Sequence, residues 1–340
     1  MTYLKVIIGT AVTLWLLVEA RGVLQPIVIA VVFWFVLKAM ARLMTRYAMG
    51  PGIPPARWAK GVSALLLVGI LVMLASMVAS NATDIQGSLP VYEANLDRLI
   101  SKAAAAVGHS STINVAEIIQ RVDLSSAALG FAGSAAGMLT SVIIIIFYVV
   151  FIFVEDGVVQ AKLTAIVEDP VRRAEINELM SRITHEVERY LGVKVILGIV
   201  QAVPTFLVLA YVGVNGAAFW AVLVFFFSFI PTVGTLVGIF FPALMTLMQF
   251  EEIGPFLTVA LTLGIVQLLA SNLLEPQLMG HTLNLSPLAI FISIFAGGAI
   301  WGIVGALIIV PVLAVIVIVC ATVPELRPIA VILSSDGQIR

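Results

Sequence analysis

Between Val195 and Pro324 the chain runs for 130 residues with three formal charges, Glu251, Glu252 and Glu275, and no lysine or arginine. A soluble domain has no means of hydrating such a stretch, since soluble chains are about 25% charged. Over all 340 residues the hydrophobic share is 61%, the charged share 11% and the mean hydropathy +1.14. A helix crossing a bilayer takes ~20 apolar residues. Soluble, secreted, fibrous and disordered classes are excluded. The expectation is an all-α, polytopic helical membrane protein with about eight hydrophobic segments, some broken or re-entrant in the C-terminal half.

Spans follow from apolar runs, and sides from where basic residues gather. Residues 6–18 and 22–37 are apolar and meet at the polar turn Glu19-Ala20-Arg21, which predicts a helix pair. No small-residue cleavage site follows the first run, so it is not a signal peptide. Lys38, Arg42, Arg46, Arg57 and Lys60 have no acid among them, which places loop 38–60 in the cytoplasm. Gly50-Pro51-Gly52 and Pro54-Pro55 break any helix there. After a third span over 61–80, the polar segment 83–130 falls outside. Short amphipathic helices are expected in it, with Asn114 and Glu117 at capping-box spacing and Asp123 able to cap the next helix. The fourth span covers 134–154. Asp169-Pro170 then reads as a helix start, and Ile176, Leu179, Ile183, Val187 and Leu191 recur at helical spacing. This predicts a cytoplasmic amphipathic helix running into the fifth span, with Lys194 snorkelling to the interface or, as the alternative, pairing with Glu275.

The expected organisation is membrane helices over 1–82 and extracytoplasmic amphipathic helices over 83–133. A membrane helix over 134–155 and a cytoplasmic helix over 156–192 follow. Then come a broken-helix membrane core over 193–324 and a tail over 325–340. Net charge is −1, so nothing marks a nucleic-acid partner. The single Cys320 and the scattered His109, His185 and His281 offer no metal-ligand spacing. There is no GxxxxGK[ST], HExxH or GxSxG, so no enzyme, cofactor or metal is expected. Uphill transport by such a chain would draw on an ion gradient or a separate subunit.

Polar breaks interrupt the C-terminal half, and paired short or broken segments point to a transporter's binding site. At Ser228-Phe229-Ile230-Pro231-Thr232, proline removes an amide donor and clashes with the preceding turn, so the helix must bend or end. The carbonyls and hydroxyls exposed there, with Gly234, are candidates for a transport path. Gly234 and Gly238, and Gly298, Gly302 and Gly305, are spaced as helix faces that another backbone can approach, or as hinges. Gln267, Ser271 and Glu275 are spaced by four, with Asn272 three before Glu275, so all four are expected on one side of a helix that Pro276 ends near Gly280. A carboxylate in hydrocarbon costs about 2.5–3.5 kcal/mol on insertion scales. Glu275 therefore reads as a proton or cation site or a solute contact; the plainer reading is a helix end at the interface. Glu251-Glu252 reads as a solvated turn.

Arg189-Tyr190-Leu191-Gly192-Val193-Lys194, FSFIPTVG at 227–234 and Asn272-Leu273-Leu274-Glu275-Pro276 with Gly280 stand in an order that resembles the autoinducer-2 exporter family of bacterial permeases. Leu285-Ser286-Pro287, the glycine-rich 297–305 stretch, Pro311 and Asp156 fit the same pattern. The resemblance implies a multi-pass protein of the bacterial inner membrane, acting as a secondary transporter or facilitator of a small polar solute. Export of an autoinducer-2-like quorum-sensing signal is the leading expectation, with a sodium(lithium)/proton antiporter as the alternative. It also implies a homo-oligomer, a pentamer among the forms. A non-transporting membrane scaffold is the remaining reading; beyond solute, protons or sodium, and lipid, no other partner is expected.

Overall fold

The computed structural model describes residues 2–47, 124–250, 252–279 and 284–337, together with separate positions between 62 and 98. Asn114, Glu117, Asp123, Gly280 and His281 lie outside them, as does most of 83–130. Every named element among the described residues is helical, as the composition requires. Among the described residues five helices are long and apolar enough to cross a membrane, and the apolar runs Thr140–Glu155 and Ala217–Phe227 are shorter.

The chain forms two compact units. The first comprises Met1–Val68, Ile143–Lys194 and Leu278–Arg340. It opens with α1 (Thr2–Glu19) and α2 (Arg21–Tyr47), joined at Ala20 as expected. The basic stretch departs from the expected loop: α2 continues to Tyr47, so Lys38, Arg42 and Arg46 stand on a helix. The reason is local. Nothing between Lys38 and Tyr47 breaks a helix, and the first glycine–proline pair is Gly50-Pro51. Helix α3 (Leu124–Glu155) crosses from the second unit into the first. At its end Lys38 donates to Asp156 (2.8 Å), the lysine lying over the Trp34 ring at 3.9 Å. Helix α4 (Val159–Ile166) leads to α5 (Pro170–Val212). Its start is the expected one, with Pro170 at the first helical position and the Val171 amide donating to Asp169 Oδ1 at 3.0 Å. At 1.5 Å per residue α5 is roughly 65 Å long, about twice a hydrocarbon core, so it combines a polar half with a spanning half.

Lys194, in the middle of α5, is a correction. It is 1% exposed instead of reaching for an interface, because it falls on the helix's buried stripe with Val187, Leu191 and Leu197.

The first unit closes with α9 (Pro287–Thr322) and α10 (Arg327–Leu333), the latter docked by Ser286 N–H to Leu333 carbonyl and Ser335 N–H to Asn284 carbonyl. Helix α9 is folded back on itself. Trp301 (φ −128°, ψ 16°) and Gly302 (φ 64°, ψ −146°) leave helical geometry, and a Cβ on Gly305 would sit 2.0 Å from the Gly297 carbonyl oxygen. Residues eight apart in a straight helix are about 12 Å apart, so two arms meet backbone to backbone. Gly297 and Gly305 make that approach; Gly298 has nothing within 4 Å, and Gly302 is the turn itself. The tip is tied to the N-terminal pair. Gln25 Nε2 donates to the Trp301 carbonyl (2.9 Å), and Trp301 Nε1 donates to the Leu17 carbonyl (2.8 Å).

The second unit, Gly69–Val142 with Val195–Gln277, contains the C-terminal half of α5, α6 (Ala217–Phe227), α7 (Val233–Phe250) and α8 (Ile253–Leu269). Its core is Leu209, Val214, Ala243, Met245, Val259 and Leu263. The turn between α5 and α6 uses Gly213 (φ 82°) and Gly216 (φ 70°). Gln249 clamps it, donating to the Gly213 carbonyl and accepting from the Asn215 amide, both at 2.8 Å.

Candidate functional site

Helix α6 has 11 residues, about 16 Å, half of what a crossing requires. It ends where Pro231 dictates, and residues 228–232 turn the chain into α7. The two helices form an antiparallel hairpin: a Cβ on Gly234 would sit 1.7 Å from the Phe227 carbonyl oxygen, and one on Gly238 3.5 Å from Val224 Cγ2. Segment 217–249 is thus a hairpin with a short first arm and not one kinked span. Its tip is strained. Thr232 has φ 63°, where only a glycine or asparagine is at ease, and it is the one non-glycine residue with positive φ among those described. Ser228 is buried, donates to the Phe225 carbonyl (2.6 Å) and packs on Gly198 of α5.

Helix α8 runs antiparallel to α7, and the seam between them carries the polar groups. Gln267 is 1% exposed, with Nε2 3.1 Å from the position of a Cβ on Gly238. Its Oε1 is buried and has no hydrogen-bond partner. One turn further, Thr235 Oγ1 and Ser271 Oγ lie 3.2 Å apart, and either can donate. The next turn leads to the Pro231–Thr232 tip on one side and to half-buried Glu275 on the other. Of the residues picked out from sequence, Gln267 and Ser271 meet α7 across this seam. Asn272 does not share that face: it is exposed and donates to the carbonyl of Leu268 on its own helix (3.1 Å).

The cause is a π-helical turn over Ala270–Leu274, where the Glu275 amide reaches the Ala270 carbonyl. The wider turn rotates the downstream residues relative to α8, and such turns recur at functional sites. Pro276 does not end the helix. Residues Glu275–Met279 continue the same helical run, Ile253–Met279, for a further turn beyond the π turn. Thr235 is the partner that sequence reading misses. Thr235, Gly238, Pro242 and Thr246 recur at helical spacing, and that small and polar face was the available signal.

Several long apolar helices, with others short or folded back, define a class, the multi-pass helical membrane proteins. The family model for AI-2E family transporters matches residues 4–325. The chain belongs to that family and is a membrane transporter. It is 26% identical over 333 residues to a Borreliella burgdorferi protein named "Putative transport protein", covering 93% of this chain and 86% of the other. It is 23% identical over 322 residues to the AI-2 transport protein TqsA of Escherichia coli K12, covering 93% and 90%. Its identity to the Escherichia coli K12 protein named "Putative transport protein YhhT" is 26% over 260 residues, 74% of this chain and 73% of that one.

Proposed function

We propose that the chain is a secondary transporter or facilitator that exports a small polar solute, an autoinducer-2-like signal, across the bacterial inner membrane. The solute passes along the α7–α8 seam beside the 228–232 tip. The observation that carries this is Gln267 Oε1, buried without a partner on a polar line that continues through Ser271 and Thr235 toward Glu275. A buried polar atom left unpaired costs about 1–3 kcal/mol, and its retention fits an acceptor kept for cargo. Residues 38–60 and 156–190 face the cytoplasm and 83–130 faces outside; the basic bias supports this, and the Lys38–Asp156 pair supports one side for both cytoplasmic segments. Assembly as a homo-oligomer is part of the same reading.

The test is solute exchange by the full chain in liposomes, wild type against Glu275→Gln, at several pH values. Reduced exchange in the variant is expected. Unchanged exchange at every pH removes Glu275 from the path. Antiport is the second reading, favoured by the half-buried Glu275 at the end of the seam. Sodium- or lithium-driven proton movement in the same vesicles is its signature, and absence of that movement eliminates it.

A further inference from the structure

We infer that the end of α2 binds the headgroup of an anionic phospholipid, at a site apart from the transport path proposed above. Two features mark the edge of the hydrocarbon there. The apolar stretch of α2 runs over Arg21–Ala39, and that of α3 ends at Glu155. Lys38 and Asp156, one beside each of those ends, meet at 2.8 Å, so both helices leave the apolar layer at one level. Trp34, whose ring carries the Lys38 ammonium at 3.9 Å, sits one turn inside that edge, where amphipathic aromatic rings gather in membranes.

Helix α2 does not stop at this edge but continues to Tyr47. At 1.5 Å per residue, Arg42 stands roughly 5 Å beyond Ala39 and Arg46 roughly 10 Å beyond it. A headgroup layer is about 5–8 Å deep on each side of a bilayer. Arg42 therefore falls within it and Arg46 at its outer margin. Lys38, Arg42 and Arg46 recur at a spacing of four, which keeps them along one side of the helix.

The charge balance asks for an anion at that depth. No acid occurs from Lys38 to Lys60. The two acids at the end of α3 are already engaged, Asp156 by Lys38 and Glu155 by Lys162 at 2.9 Å. Neither the basic stretch itself nor the end of α3 has a carboxylate to spare for Arg42 and Arg46. A lipid phosphate meets the need, because the planar guanidinium fork makes two parallel bonds to it. Basic residues directly beyond a span attract anionic lipid for the same reason. Phosphatidylglycerol presents the charge without the competing ammonium of phosphatidylcholine.

The experiment adds phosphatidylglycerol or phosphatidylcholine with the same acyl chains to the full chain in neutral detergent. Thermal unfolding and the lipid retained in native mass spectra are the readouts. Wild type is expected to gain several degrees from phosphatidylglycerol and to retain it, and to do neither with phosphatidylcholine. Arg42→Gln with Arg46→Gln should weaken retention about fivefold for each arginine removed. Arg172→Gln, on the polar half of α5, is the control and should behave as wild type. If the double variant is not monodisperse, Arg42→Gln alone is read against the same fivefold expectation. Equal retention of phosphatidylcholine overturns the selection of an anionic lipid. Phosphatidylglycerol retention that ignores the arginine variants overturns the site. An equal thermal gain from glycerol phosphate, which carries the anion without acyl chains, makes this a site for a free anion and overturns the lipid assignment.

Discussion

Gln267 lays its side-chain nitrogen 3.1 Å from where Gly238 would carry a β-carbon, so a missing side chain on α7 is what admits the amide between α7 and α8. Gly238→Ala sets two effects against each other. Alanine gains about 1 kcal/mol of helix propensity over glycine, while Gln267 must give by a few tenths of an ångström. The expected outcome is a melting temperature within a few degrees of wild type and solute exchange reduced several-fold, because the amide is displaced.

The two hairpins place glycines where no β-carbon fits. Gly234→Ala would put one 1.7 Å from the Phe227 carbonyl oxygen, and Gly305→Ala 2.0 Å from that of Gly297. Backbone cannot yield as a side chain does, so each variant is expected to lose about 3 kcal/mol or more. Gly298→Ala, with nothing within 4 Å, is the control and should keep its thermal stability. Thermal unfolding in detergent reads all three.

Thr232 is exposed and sits at φ 63°, so its strain belongs to the backbone and not to any contact it makes. The left-handed region costs an ordinary residue roughly 1–2 kcal/mol, and asparagine tolerates it best after glycine. Thr232→Asn is therefore expected to raise the melting temperature by a degree or more, whereas Thr232→Val should not.

What sequence discloses and what it hides divides along local and non-local causes. Asp169-Pro170 and Pro231 announce a helix start and a helix end through their own chemistry, and both are found where expected. Four glycines among residues 297–305 announce only that something comes close. Choosing Gly302 as the turn and Gly297 with Gly305 as the contact depends on how the two arms of α9 meet, which spacing alone does not encode. The π turn at Ala270–Leu274 is likewise not announced by any residue within it, and it separates Asn272 from the face of Gln267. Lys194 is buried because it shares a stripe with leucines, although its chemistry favours an interface.

Asn95 joins the polar segment to the core of the second unit. It is 6% exposed and donates to the carbonyls of Met248 (2.9 Å) and Gln249 (3.3 Å) at the end of α7, beside the Gln249 clamp on Gly213 and Asn215. Asn95→Ala and Gln249→Leu are each expected to cost about 1–2 kcal/mol. Because both secure the same end of α7, the double variant should lose less than the sum. A double-mutant cycle by thermal unfolding measures this, and strict additivity would mean two independent supports.

The most direct measurement concerns Thr235 and Ser271, whose hydroxyl oxygens are 3.2 Å apart across the proposed path. Thr235→Cys with Ser271→Cys places two sulfurs close enough to bridge after a small adjustment, and native Cys320 is buried. Solute exchange in liposomes is then compared before oxidation, after oxidation and after reduction. Exchange that stops when α7 and α8 are joined and returns on reduction is the predicted result. Exchange that continues unaltered through a fully formed bridge would show that solute does not pass between these helices.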